Sequence, residues 1–167
     1  MEPSTHWTTL STTLGPMLLA ASEVGLHGAW FVGQRHGAGP AEGWRQDDTH
    51  PLLREAAAQL TAWHAGQRRT FDLPLAPRGT PFQQSVWAEL ARIPHGHTRT
   101  YGEVAAALGR PTAARAVGMA TGRNPLSIII PCHRLVGRDG ALTGYAGGLD
   151  RKRTLLEFES ATSGVAP

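Results

Sequence analysis

Thr100-Tyr101-Gly102-Glu103-Val104-Ala105-Ala106-Ala107-Leu108-Gly109-Arg110-Pro111-Thr112-Ala113-Ala114-Arg115-Ala116-Val117-Gly118-Met119-Ala120 carries two short helical patterns separated by a glycine-containing turn. Thr100 and Glu103 stand three apart, the spacing at which a cap hydroxyl accepts the N3 backbone N–H while the N3 carboxylate reaches back to the cap's own N–H. This predicts a helix through Ala107 that ends at Gly109, a residue free to turn left-handed. A second helix is predicted from Pro111 through Ala113–Ala120, stopping before Asn124-Pro125, because the residue before a proline disfavours the helical region. Arg110 occupies the position before Pro111 where Asn or Ser would cap better, which weakens that start. Helix, short turn, helix is the helix-turn-helix pattern. The second helix presents mostly Ala and Gly, so a nucleic-acid backbone can approach closely, and one long cation, Arg115, projects from that shallow surface.

Upstream, Thr80-Pro81-Phe82-Gln83 is a further capping box, and Phe82, Val86 and Leu90 recur every four residues as one buried stripe. Downstream, Ile128-Ile129-Ile130 reads as a strand, Gly137-Arg138-Asp139-Gly140 as a tight reversal, Gly144-Tyr145-Ala146-Gly147-Gly148 as a flexible loop, and Leu149–Glu159 as a final helix. Before residue 80 the pattern differs. Met17–Ala21 and Gly28–Val32 read as two strands, Gly33–Thr49 as a polar loop, Pro51 to about Gly66 as a helix, and Phe71–Leu75 as a last short strand. The expectation is an α+β chain: a strand-and-helix lobe over 1–75, a linker at 76–79 and a mainly helical lobe over 80–167.

With 167 residues, 41% of them hydrophobic and 17% charged, the chain has the composition of an ordinary globular protein with one core or two small lobes. No apolar stretch approaches the roughly 20 residues that span a bilayer, and Met1-Glu2-Pro3-Ser4-Thr5-His6 lacks the basic start of a secretory signal, so a cytoplasmic protein without a membrane partner is expected. The net charge of +3 is uneven. Residues 1–89 carry six Arg against eight acids, a net of −2, whereas 90–167 carry nine Arg and one Lys against five acids, a net of +5. The C-terminal part is therefore the one suited to a polyanion.

The sole cysteine, Cys132, lies in Pro131-Cys132-His133-Arg134. One thiol makes neither an internal disulfide nor a multi-thiolate metal site, which leaves an inert core thiol or a nucleophile. His133 and Arg134 next to it both favour thiolate. If the turn is extended, Cys132 and His133 point to opposite sides. On the final helix, Leu149, Leu155 and Leu156 define the buried face; Glu159 falls within the same arc and Glu157 points away. A carboxylate aimed at a core needs a partner. Lys152 lies near the same arc. His95-Gly96-His97 reads as a surface loop, and neither a metal nor a cofactor is expected.

These residues resemble the O6-alkylguanine-DNA alkyltransferases, also called methylated-DNA-protein-cysteine methyltransferases. The match runs in order through Gly79–Trp87, Ile93-Pro94, Thr100–Glu103, Arg115–Gly118, Asn124-Pro125, Pro131–Arg134, Gly144–Gly148, Lys152, Leu155-Leu156 and Glu159. The first lobe resembles the family only through Gly15-Pro16 and Gly25–Gly28. The resemblance implies a ribonuclease H-like N-terminal lobe and irreversible transfer of an alkyl group from O6-alkylguanine, and from O4-alkylthymine, to Cys132. It implies that His133 deprotonates the thiol through a bridging water, that Glu159 orients His133, that Tyr101 protonates guanine N3, and that Asn124 braces the cysteine turn. Tyr145, Ala146, Leu135 and Lys152 are implied to bind the substrate base. Arg115, Ala114, Ala116, Gly118, Thr100 and Tyr101 are implied to meet double-stranded DNA in the minor groove, with the damaged nucleotide flipped out and Arg115 filling the gap. Ala146 stands where some relatives have serine. A monomer, cooperative on DNA in some settings, is the expected state. Two other readings remain: a lesion sensor without chemistry, whose relatives usually replace the motif cysteine with tryptophan, and a cysteine hydrolase, supported only by the Cys-His pair.

Overall fold

The structure, a computed structural model, describes residues 3–163. The first lobe is a four-stranded mixed sheet of β1 (His6–Leu10), β2 (Met17–Ala21), β3 (Leu26–Phe31) and β4 (Arg45–Gln46), in the order β3-β2-β1-β4. β1, β2 and β3 run antiparallel, with Leu10 opposite Met17 and Met17 opposite Phe31, and β4 pairs parallel to β1. The central strand β2 is buried throughout because both sheet faces are covered. Met17, Leu19 and Ala21 face the main core under α1 (Pro51–His64), whereas Leu18 and Ala20 face a smaller cluster with Trp30, Trp7 and Trp44. That division follows the two-residue period of a strand.

Of the two strands expected here, Met17–Ala21 matches β2, and the second lies at Leu26–Phe31 in place of Gly28–Val32. β1 and β4 were not legible, since His6-Trp7-Thr8-Thr9-Leu10 mixes polar and apolar residues and is only half-buried. Phe71–Leu75 is not a strand: Pro74 has no N–H to pair, and only Leu75 bridges, parallel, to Leu26. The buried Gln59 amide takes both backbone groups of Asp72 instead.

The second lobe packs α2 (Pro81–Leu90), α3 (Tyr101–Ala107), α4 (Ala114–Gly122) and α5 (Leu149–Ser163) around a two-stranded parallel pair, β5 (Arg99–Thr100) and β6 (Leu135–Val136). Both capping boxes form, Thr80 with Gln83 and Thr100 with Glu103. The Trp87 indole N–H donates to the Ala120 carbonyl at 2.8 Å and ties α2 to α4. Gly109 turns left-handed at φ +71°. α4 starts at Ala114, three residues later than expected, because Arg110–Ala113 closes as a turn and the cap residue, Ala113, has no side chain able to accept an N–H. Among the described residues no helix is long and apolar enough to cross a membrane.

The lobes meet along β3. Its edge is paired at Leu26 by the 74–76 segment, and at Ala29 by residues 125–127: Ala29 donates to Pro125 O at 2.8 Å and Ser127 donates to Ala29 O at 2.9 Å. This second pairing anchors the entry to the cysteine turn. Ile128–Ile130 is then not a strand but a buried turn, with Ile130 N donating to Leu126 O at 2.9 Å and Ile128 at φ 73°. A left-handed conformation costs a β-branched residue about 1–2 kcal/mol. Asn124 holds it there: its Oδ1 accepts from Leu126 N at 2.9 Å and its Nδ2 donates to Ile130 O at 2.7 Å.

Trp63, fully buried at the end of α1, joins the first lobe to the second by ring contacts with His95, His133 and Phe158. Trp63→Ala is expected to cost about 3–5 kcal/mol, read from denaturant unfolding. Met119→Ala, at a side chain 71% exposed on α4, is expected to change stability by less than about 0.5 kcal/mol.

Candidate active site

α5 places Lys152, Leu155 and Glu159 on one buried face, and Glu157 in solvent. Leu149, expected on that face, is 44% exposed because it opens the helix beside the cavity. The helix continues to Ser163, so Glu159 lies a full turn inside it and only 1% of it is exposed. Its carboxylate has three cationic or imidazole partners. Oε1 lies 3.0 Å from His133 Nε2 and accepts from Arg134 Nε at 2.9 Å, while Oε2 accepts from Arg134 Nη2 and lies 3.3 Å from His95 Nδ1. Arg134 Nη1 donates to Ile93 O. Burial alone would raise the Glu159 carboxyl, but the hydrogen bonds from His133 and Arg134 outweigh it and hold its pKa at about 2.

His95 corrects the reading of His95-Gly96-His97 as a surface loop. Its side chain is 6% exposed, and Nε2 lies 2.9 Å from Thr162 Oγ1 on α5. The sequence signal was faint: Gly96 takes φ +82° in a turn pressed against Ser163 and the Glu159 backbone, which points His95 inward. The structure also assigns Arg134 mainly to Glu159, not to the thiol.

Cys132 opens a 3-10 turn, Cys132–Arg134, and is buried. The backbone is thus not extended, and successive side chains diverge by about 120°. Burial pushes the thiol up; the Asn124 side chain, the Lys152 charge and the backbone N–H groups of Cys132 and His133 act in the opposite direction. His133 is fully buried, which lowers its proton affinity against the pull of Glu159. Its Nδ1 has no hydrogen-bonding partner among the described residues. Lys152, 1% exposed, donates from Nζ to Thr143 O at 2.8 Å; burial lowers its pKa to about 8 although Cys132 opposes the shift. Burial, and next the neighbouring Cys132, raise the Tyr145 hydroxyl well above the ordinary phenol range.

In front of these groups is an open cavity of about 1100 Å³ that brings together Tyr101, Ala114, Arg115 and Gly118 from α3 and α4 with Tyr145 and Ala146. The Tyr101 ring lies against Gly118, where an added Cβ would come within 3.3 Å of it, and Tyr101 Oη accepts from Thr143 Oγ1 at 3.0 Å. Thr100 caps α3 beside the cavity. Asn124 braces the cysteine turn from behind. Leu135 is fully buried in β6, Ala116 is exposed on α4 and Lys152 is buried with its ammonium on Thr143 O, and none of the three lines the cavity; nor does Cys132, which lies beneath Tyr145. The first lobe holds the Gly144–Gly148 loop through contacts that no local pattern announces. Arg35 N donates to Ala146 O at 2.9 Å, and Arg151 donates to Leu14 O and Gly147 O while stacking 4.5 Å from the Phe31 ring centroid.

A buried thiol backed by a His–Glu pair, placed behind a cavity on a helix-turn-helix lobe, defines a protein that joins a cysteine nucleophile to a nucleic-acid-binding scaffold. Two family models match: the ribonuclease-like domain of 6-O-methylguanine DNA methyltransferase over residues 5–77, and the DNA binding domain of the same family over 81–161. The methylated-DNA–protein-cysteine methyltransferase of Methanosarcina barkeri is 50% identical over 155 residues, 92% of this chain and 96% of its own. The structure of Mycobacterium tuberculosis OGT in complex with DNA superposes with a TM-score of 0.87 at 44% identity, covering 94% of both chains. The O6-methylguanine methyltransferase structure from the same organism gives 0.86 at 44% identity, covering 98% of this chain and 95% of its own. The chain belongs to the methylated-DNA–protein-cysteine methyltransferase family.

Glu159 makes stability depend on pH with a definite sign. Its folded pKa of about 2 lies below the unfolded value of about 4.3, so its contribution is complete above about pH 4.3 and is lost as pH falls toward 2. The loss expected is on the order of 3 kcal/mol. Denaturant unfolding of the wild type and Glu159→Gln at pH 7, 4.5 and 2.5 checks it: the gap between the two proteins should shrink only below about pH 4.3.

Proposed function

We propose that this chain repairs O6-alkylguanine, and O4-alkylthymine, in double-stranded DNA by moving the alkyl group to Cys132 in a single irreversible step. The observation that carries the proposal is the Cys132–His133–Glu159 arrangement with Cys132 next to Tyr145, a side chain that lines the cavity together with Ala146. Family membership supports it. At pH 7 the raised thiol is almost entirely protonated, so a base is required. His133 fits that role, since Nδ1 is unpartnered and Nε2 is held by Glu159, which fixes the ring and stabilises the imidazolium as it forms. Lys152, the only lysine in the chain, adds a positive charge that favours thiolate.

The sulfur–carbon bond forms as the carbon–O6 bond breaks, and the electron pair of that bond leaves with the base. One proton leaves the thiol toward His133 through a bridging water, and one arrives on guanine N3, so guanine departs neutral. Tyr101 supplies the second proton; its oxygen already accepts from Thr143, which leaves its own O–H to donate. Tyr145 and the Ala146 backbone N–H hold O6. A thioether offers water no acyl carbon, and nothing regenerates the thiol. The alkyl carbon lies within the base stack, so the nucleotide must rotate out of the duplex. α4 enters the minor groove by its Ala and Gly surface, and Arg115 fills the vacated space. Readout there is nearly sequence-blind, which suits a search for damage in any context. The protein acts as a monomer.

Incubation with duplex DNA containing O6-methylguanine, followed by intact-mass measurement, should show one methyl group per chain and none on Cys132→Ala, which still binds the duplex. Methyl loss from DNA treated with Cys132→Ala would remove the assignment of the nucleophile. Arg115→Ala should slow duplex repair about 10-fold or more yet react with free O6-benzylguanine almost as the wild type does. Equal losses on the two substrates would mean that Arg115 serves the fold and not base extrusion.

A further inference from the structure

The cavity described above has a second rim. Arg35 and His36 from the loop after β3 and Arg123, which closes α4, line it, and together with Arg115 they make four basic side chains and no carboxylate around one opening. Arg35, His36 and Arg123 are exposed, and none has an acidic partner among the described residues. They are close enough together that Arg123 and Arg35, after the effect of burial, lower the proton affinity of His36. Like charges gathered without a counter-charge repel one another, and a bound anion relieves that repulsion.

The loop bearing them is built rather than loose. Gln34 Oε1 accepts from Phe31 N at 2.8 Å and from Ser127 Oγ at 3.3 Å, and Arg35 N is fixed to Ala146 O. His36 is held at φ 58°, a conformation that non-glycine residues seldom adopt and that clusters at functional positions. The first lobe is acidic in sum, yet the segment it sends to the cavity, Gly33 to Ala41, contains Arg35 and His36 and no acid.

Resting on the function proposed above, we infer that Arg35 of the first lobe and Arg123 of the second together bind a backbone phosphate of the DNA strand beside the flipped nucleotide. The N-terminal lobe is thereby a DNA-contacting element and more than a support for the catalytic lobe. A phosphodiester is the anion of choice because this rim is continuous with the face on which α4 meets the duplex, and a strand whose base has entered the cavity carries its flanking phosphates past the rim. The contact is to backbone, so it adds affinity without sequence preference.

The test is the salt dependence of binding to a duplex containing O6-methylguanine, measured between about 50 and 200 mM NaCl in a Cys132→Ala background that leaves the lesion unreacted. Binding is compared with Arg35 and Arg123 both present, with Arg35→Ala, with Arg123→Ala and with the two combined; benzyl transfer is read on the same substitutions with Cys132 intact. Each lost phosphate contact should make the slope of log affinity against log salt shallower by about 0.9. Arg35→Lys should keep the slope of the Cys132→Ala parent because it keeps the charge. Benzyl transfer to Cys132 from free O6-benzylguanine should be unchanged in every variant. The parent slope with both substitutions combined would overturn the phosphate site, as would a slope change accompanied by slower benzyl transfer, which would indicate a displaced Ala146 loop. Absence of methyl transfer from O6-methylguanine in duplex DNA to Cys132 of the wild type would instead overturn the function on which the inference rests.

Discussion

One buried carboxylate organises the second lobe. Glu159 draws together three pieces of chain that are remote in sequence: the turn at His95, the Cys132–Arg134 turn and α5. A carboxylate nearly excluded from solvent is tolerated only when its charge is compensated, and here Arg134 donates to both oxygens while the His133 and His95 rings lie 3.0 and 3.3 Å from them. Such a cluster is weak evidence of stability, because its members lose hydration on burial. Its contribution is geometric: with Arg134 clamped to Glu159 and to Ile93 O, the adjacent His133 has one ring orientation and Cys132 has one place to sit.

The same clamp limits how strongly Glu159 can charge His133. Arg134 occupies both carboxylate oxygens and cancels much of the negative charge, and the imidazole stays below its ordinary proton affinity because burial dominates. Thiol and imidazole are therefore both neutral at rest. The pair is poised to exchange a proton when the alkylated base arrives, and the buried thiol is kept from reacting indiscriminately in the meantime.

The sequence made local features legible and left the convergent ones hidden. Both capping boxes, the glycine stop at Gly109 and the choice of Glu159 over Glu157 follow from spacing along one helix, and all are present in the structure. The strand expected at Ile128–Ile130 failed because three β-branched residues are a strong local signal, yet the Asn124 side chain offers Leu126 N and Ile130 O better partners than a neighbouring strand. β1 carries no clean alternation, because His6, Trp7 and Leu10 are only half-buried and three of its five residues are polar. His95, and the Arg151 contacts to Leu14 and Phe31, depend on how separate segments meet; no spacing within either segment encodes that meeting.

Whether Glu159 acts through His133 is decided by a double-mutant cycle on alkyl transfer from free O6-benzylguanine, using His133→Phe, Glu159→Gln and both together, with the rate followed against pH. If the two residues form one relay, the double variant is scarcely slower than the worse single variant and the pH profiles of the three variants coincide. Losses that multiply in the double variant, or a wild-type rate in Glu159→Gln, would contradict it.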